Sequence, residues 1–273
     1  MFCKYVACVV FGEALQSSRY RRIQRFFSKY PLDYQQIAGF IFKLFFVSGG
    51  QWYLSMDRTN WRWGKSDINI LMLGIVFKGT AIPIYWMLLD KRGNSDTPER
   101  IALLQMFIDH FGKNCIKGIL ADREFVGKDW FLWGDFVYLA GLRLVDGALL
   151  IVATTELPET AIATYGLRWE IECLFGCFKG RGFNFEDTHI TDKTRIKKMV
   201  ARLAIAFTWA HRTGEWQNEQ KPIKIKKHGR PAVSLFRYGL DFLCDSIVRL
   251  AYKTNHFQQA LKILNSMPSP VCS

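Results

Sequence analysis

Residues 52–89 read WYLSMDRTNWRWGKSDINILMLGIVFKGTAIPIYWMLL. Three runs in this stretch are strand-like: Trp52 to Met56, Ile68 to Phe77 and Ala81 to Leu89, each bounded by polar or glycine-containing turns. The apolar span from Ile68 to Leu89 is interrupted by Lys78-Gly79 and by Pro83. It therefore falls short of the roughly 20 uninterrupted apolar positions of a lipid-spanning helix. Two buried strands joined by a Lys-Gly turn fit it better.

Working outward, Pro98 to Phe111 has a helical pattern, with Thr97 as a candidate cap before a proline at the first helical position. A short apolar strand, Ile116 to Ala121, follows and ends at Asp122. Three strands, a helix and a further strand predict a mixed α/β sheet with flanking helices. Strands are expected around Phe136 to Leu144 and Ala148 to Ala153, then a long helix from Pro158 to Phe178 and a second from Lys193 to Arg212. The basic string KPIKIKKHGRP, Lys221 to Pro231, reads as an exposed linker or arm, and a last amphipathic helix covers Leu235 to Leu250. Upstream, Ser17 to Val47 is spaced as two helices broken at Pro31 and Asp33. The expected division is a helical segment over 1–50, a catalytic domain over 51–212, and a basic linker with a helical segment over 213–273.

The chain has 273 residues, 49% hydrophobic and 22% charged, which excludes a disordered tail and leaves room for a sizeable core. Its formal charge of +13 favours a polyanionic partner, nucleic acid first and an anionic membrane second. Seven cysteines carry no CxxC pair and read as free thiols in a reducing compartment. The opening Met1 to Leu15 faintly imitates a signal peptide, but Glu13 interrupts it and no small-residue cleavage pattern follows. The expectation is a cytoplasmic protein with no membrane partner.

Asp57 follows the apolar run WYLSM and Asp122 follows CIKGIL, so both carboxylates are expected at carboxyl ends of strands, where open α/β sheets bind ligands. Either acid alone is as well explained as a turn former. A third element adds weight. With 165–179 taken as one helix, Tyr165, Arg168, Glu172 and Lys179 share a stripe about 60° wide, with Leu167, Ile171, Leu174 and Phe178 opposite. Glu170 lies off the stripe, so a site acid from this helix would be Glu172. Three convergent carboxylates need a cation, and oxygen-only ligands select Mg²⁺ or Mn²⁺. Two such ions about 4 Å apart activate a hydroxyl and stabilise a leaving oxygen at a phosphodiester. Arg168 and Lys179 would hold the neighbouring phosphates. The cluster Arg19, Arg21, Arg22 and Arg25 is either a solvated helix face or a DNA contact, and Lys224, Lys226, Lys227 and Arg230 are expected on phosphates.

The spacing Tyr165-x2-Arg168-x3-Glu172-x6-Lys179 resembles the Y-x2-R-x3-E-x6-K signature of DDE-type transposases of bacterial insertion sequences, in the cut-and-paste branch. The strings MDRTNWRWGK, LADREFVGKDWF, KGRGFNFEDTHIT and IKKHGRPAVSLFRYGLDFL resemble the same branch, from about Ser18 to Leu243. The resemblance implies a ribonuclease-H-like fold, with Asp57, Asp122 and Glu172 as the catalytic triad holding two Mg²⁺ or Mn²⁺ ions. It implies that Tyr165, Arg168 and Lys179 contact the transposon end. Trp169 matches a position where such enzymes carry Trp near the end base, with core packing as the equal alternative. The implied partners are double-stranded DNA, as terminal repeats and target, and a second copy of the chain on paired ends.

The interval from Asp122 to Glu172 is 50 residues, shorter than that signature usually accompanies. A β-rich insertion is expected here only in truncated form, at about 130–155, with Trp130 to Asp135 running almost directly into the next strand and part of the catalytic sheet missing. The strand Phe136 to Leu144 is the candidate to replace the lost one. An inactive, internally deleted derivative that only binds DNA, or a nuclease without strand joining, are the alternative expectations.

Overall fold

The computed structural model describes residues 14–46, 49–122, 138–143, 149–154 and 158–265. The opening 1–13 and Trp130 to Asp135 lie outside the described residues. The chain forms two units, one spanning Gly49–Phe175 and one joining Met1–Ser48 to Gly176–Ser273.

The first unit is built on a four-stranded sheet of β1 (Trp52–Trp63), β2 (Ser66–Phe77), β3 (Thr80–Leu88) and β4 (Ile116–Ala121), in the order β3-β2-β1-β4. β1 and β2 are antiparallel, as are β2 and β3, while β1 and β4 are parallel. This is the expected mixed α/β sheet with flanking helices. β2 is buried without a break from Ile68 to Ile75, as a strand covered on both faces must be. At the β2–β3 turn both Lys78 (φ +48°) and Gly79 (φ +86°) are left-handed, the two-residue connection that matches strand twist. Pro83 sits on the edge strand β3, where the ladder slips by one residue opposite Leu73 and Gly74, so its missing N–H is tolerated.

β1 runs seven residues beyond the expected Met56, so Asp57 lies within a strand rather than after one. The extension from Arg58 to Trp63 carries polar side chains that hide it from an apolar-run reading, yet every residue pairs with β2. A helix, α3 in chain order (Thr97–Phe111), buries Leu103, Leu104 and Phe107. Its cap is Asp96, not Thr97. The Asp96 carboxylate accepts from Glu99 N at 3.0 Å and the Glu99 carboxylate accepts from Asp96 N at 2.8 Å, a reciprocal pair that satisfies two orphan donors.

Two further strands, β5 (Tyr138–Arg143) and β6 (Leu149–Thr154), pair only with each other among the described residues. Among the described residues β5 does not join the larger sheet. The expected helix over 158–178 is two, α4 (Pro158–Gly166) and α5 (Trp169–Phe178). Between them the amides of Leu167, Arg168, Glu170 and Ile171 each bond to the carbonyl three residues back. Such a tightened turn breaks the 3.6-residue period, and Gly166, a poor helix former, sits where it begins.

The second unit is helical. It contains α1 (Gln16–Lys29), α2 (Tyr34–Phe45), α6 (Lys193–Gln220), α7 (Leu235–Val248) and α8 (Thr254–Asn265). Asp33 caps α2 by accepting from the amides of Gln35 and Gln36 at 2.9 and 3.0 Å. α6 continues past the expected Arg212 to 28 residues, because buried Thr213 and Glu215 interrupt the apolar pattern without interrupting the helix. α6 and α7 meet backbone to backbone at Gly214 and Gly239. A methyl group on either would collide with a carbonyl oxygen of the facing helix, Leu235 O for Gly214 and Ala210 O for Gly239. α8 was not expected from the sequence; the Trp209 indole donates to the Ala260 carbonyl at 2.8 Å and holds it on α6. No helix among the described residues is long and apolar enough to cross a membrane.

Candidate active site

The parallel pairing of β1 and β4 ends with Met56 opposite Ala121, so the next residue on each chain is an aspartate, Asp57 and Asp122. Two carboxylates thereby stand at the end of one shared ladder. Asp57 is partly buried; one oxygen accepts from the Arg58 amide at 2.6 Å and the other lies 3.7 Å from Nη1 of Arg168. The same nitrogen is 3.3 Å from Oε1 of Glu172. Arg168 is itself buried, at 5% exposure.

The tight turn between α4 and α5 sets this geometry. It turns the Arg168 guanidinium over the Trp169 ring, 4.7 Å from the centroid, with the Tyr165 ring at 5.6 Å. Both contacts are close enough for attraction between a cation and a π face. Arg168 Nε is buried without a hydrogen-bond partner among the described residues. The Tyr165 hydroxyl donates to Oδ1 of Asp122 at 3.4 Å. Burial pushes the Tyr165 phenol above its usual range, against the opposing pull of Arg168, so it remains a proton donor at neutral pH.

Asp57, Arg168 and Glu172 thus form one linked group, and Tyr165, lying against the Arg168 guanidinium, connects Asp122 to it. Trp169 is 57% exposed, which removes core packing as its explanation. Lys179 follows the end of α5 and pairs through Nζ with Oε1 of Glu186 at 2.7 Å, inside the helical unit. Arg22 is exposed on α1. Lys226 and Lys227 are exposed on a short β-hairpin rather than on an irregular arm, since Ile225 and Pro231 form an antiparallel bridge.

Glu170 was set aside by helical geometry, and its actual place is structural. Its carboxylate accepts from the amides of Phe77 at 2.9 Å and Gly79 at 3.0 Å, which ties the start of α5 to the β2–β3 turn. Burial raises its pKa above the usual 4.5, with the two amides acting in the opposite direction. The available signal was the Lys78-Gly79 turn itself, whose amides require an acceptor. Arg58 was also missed. It reaches Asn69 at 3.3 Å and Asn94 at 3.1 Å, while Asn69 donates to the carbonyls of Lys91 and Gly93, each at 3.0 Å, closing the loop after β3 against the sheet.

With this geometry in hand, one comparison is decisive: a family model described as Transposase DDE domain matches residues 48–209, more than half of the chain. The chain belongs to the DDE transposase family. Neither curated proteins nor solved structures give a match. DDE transposases generally use divalent metal ions, and the donor set here is of the right kind, since hard divalent cations take carboxylate oxygens. Asp57 and Glu172 already direct oxygens to a single cationic atom, Nη1 of Arg168. No group of three acidic, His or Cys side chains is close enough to enclose a metal among the described residues. In this arrangement the Arg168 guanidinium lies between Asp57 and Glu172.

Proposed function

We propose that the chain is a DNA transposase that cleaves transposon ends and transfers the freed strand, with Asp57, Asp122 and Glu172 holding two Mg²⁺ or Mn²⁺ ions. The observation that carries this reading is the convergence of Asp57 and Glu172 on one cationic position next to the Tyr165–Asp122 pair, within a DDE domain. Bound divalent ions supply an activated hydroxyl nucleophile and stabilise the leaving oxygen of a phosphodiester. The chain's own residues do the positioning. Arg168 offers a forked donor to a phosphate beside the scissile one, and the Tyr165 hydroxyl donates a hydrogen bond to a phosphate oxygen. Trp169 presents an exposed ring to the end base. Lys179, Arg22, Lys226 and Lys227 add positive charge for the backbone, and two copies of the chain hold paired ends.

A second reading is an inactive derivative that only binds DNA. It is favoured by the short Asp122–Glu172 interval, which we attribute to a truncated insertion at 130–155, and by Arg168 filling the space between two of the acids. The separating experiment incubates the purified chain with Mg²⁺ and a duplex carrying the element's own terminal repeat. The transposase reading expects nicked and joined products. Asp57→Ala is expected to lower the nicking rate on the order of 10³-fold, about 4 kcal/mol of transition-state stabilisation. Binding with no nicking, and Asp57→Ala equal to the parent, sinks that reading in favour of the derivative. Nicking without joining limits the activity to a nuclease.

A further inference from the structure

We infer that residues 221–233 form a cationic β-hairpin that inserts into the major groove of duplex DNA, an inference that rests on the DNA-acting reading above. The string has no acidic residue from Gln220 to Leu240 and carries Lys221, Lys224, Lys226, Lys227 and Arg230. All five are exposed, and none makes an ion pair among the described residues. This is not a loose tail. Lys226 O accepts from Gly229 N and Lys226 N donates to Arg230 O, both at 2.9 Å, while Ala232 N donates to Lys224 O at 2.8 Å. Gly229 takes φ +78°. That is a three-residue hairpin loop with glycine at its left-handed position. The base is anchored as well: Ile223 N donates to Asn218 Oδ1 at 2.8 Å and the Tyr238 hydroxyl donates to Lys221 O at 3.2 Å.

The pairing gives the hairpin two chemically different faces. Residues opposite one another share a face and neighbours along a strand alternate. Lys226 stands opposite Arg230 and one step from Lys224 on the same face, whereas Ile225 and Pro231 stand opposite each other on the other. Ile225 is 63% exposed and Val233 40%. An exposed isoleucine on this ordered basic ribbon is open to a partner. A two-stranded ribbon fits the major groove, about 12 Å wide, where cations reach the flanking phosphates and an apolar edge meets thymine methyl groups. The minor groove, about 6 Å wide, is too narrow for it. The apolar edge is too small to hold a membrane by itself.

The test measures binding of the full chain to a mixed-sequence DNA duplex by fluorescence anisotropy across a salt series, without added metal. The double variant Lys226→Ala with Arg230→Ala is expected to reduce the slope of log affinity against log salt by about two, at roughly 0.9 per phosphate contact. Ile225→Ser is expected to weaken binding severalfold with the slope unchanged. Methyl green, which occupies the major groove, should compete, and netropsin, which occupies the minor groove, should not. Circular dichroism of both variants should match the parent. An unchanged slope in the double variant while the parent still binds overturns the inference and leaves the transposase reading intact, as does competition by netropsin alone. Tighter binding to phosphatidylserine vesicles than to duplex assigns the hairpin to a membrane surface and overturns it too. No binding by the parent at low salt overturns the DNA reading and the inference together.

Discussion

The acid-lined site of the sheet unit and the basic hairpin of the helical unit treat charge in opposite ways. In the first, Arg168 is buried and shared between Asp57 and Glu172, and Asp122 accepts from Tyr165. In the second, five cations stand in water with no acid opposite them in the described chain. Charge matched internally supports the fold and must be rearranged before it can serve a ligand. Charge left unmatched does little for stability and is available to a polyanion from the start.

The largest effect is expected beneath the hairpin, at the helix crossing that supports it. Gly239→Ala forces a methyl group against the Ala210 carbonyl and should lower the unfolding free energy by about 1–3 kcal/mol, measured by urea denaturation. A neutral result there would mean that the α6–α7 contact is loose and the mount of the hairpin is not rigid. Next, Arg168→Gln leaves Asp57 and Glu172 facing each other without their cation. Breaking a well-buried pair costs about 3–5 kcal/mol, but Glu172 is 43% exposed, so solvent screening reduces the expected loss to about 1–2 kcal/mol. Lys226→Gln with Arg230→Gln should by contrast stay within about 0.5 kcal/mol of the parent. Equal effects at the two places would erase the distinction between matched and unmatched charge.

The smallest effect concerns Glu170 and is read from pH. Burial holds its folded pKa above the usual 4.5, so the folded state binds the proton more tightly than the unfolded chain does. Its contribution is therefore greatest below the ordinary carboxylate range and is lost as pH rises through the raised folded value. Glu170→Gln, neutral throughout, should remove that decline. The check is the difference in urea midpoint between parent and variant from about pH 4 to pH 7. A difference that does not vary with pH would place Glu170 in water rather than against the turn.

Much of this was legible from local pattern. Apolar runs and turn residues marked β2, β3 and β4, and the Asp33 break marked α1 and α2. What failed did so for identifiable reasons. β1 continued through polar residues because pairing with β2, not its own hydropathy, sustains it. The helix over 158–178 broke because a glycine allowed a tightened turn that periodicity averages away. The cap of α3 went to Asp96 because a reciprocal bond with Glu99 outcompetes the threonine beside it.

The sequence by itself determined the mixed sheet, the order of the three acids, the positive balance and the family, since these rest on residue identity, spacing and backbone hydrogen bonding over short distances. Only the tertiary structure decided that Arg168 lies between Asp57 and Glu172, that Glu170 holds a turn, and that the basic string is a two-faced hairpin. Those outcomes depend on which strand ends meet and on which buried groups find partners, and such pairings join residues far apart in the chain, where no local period records them.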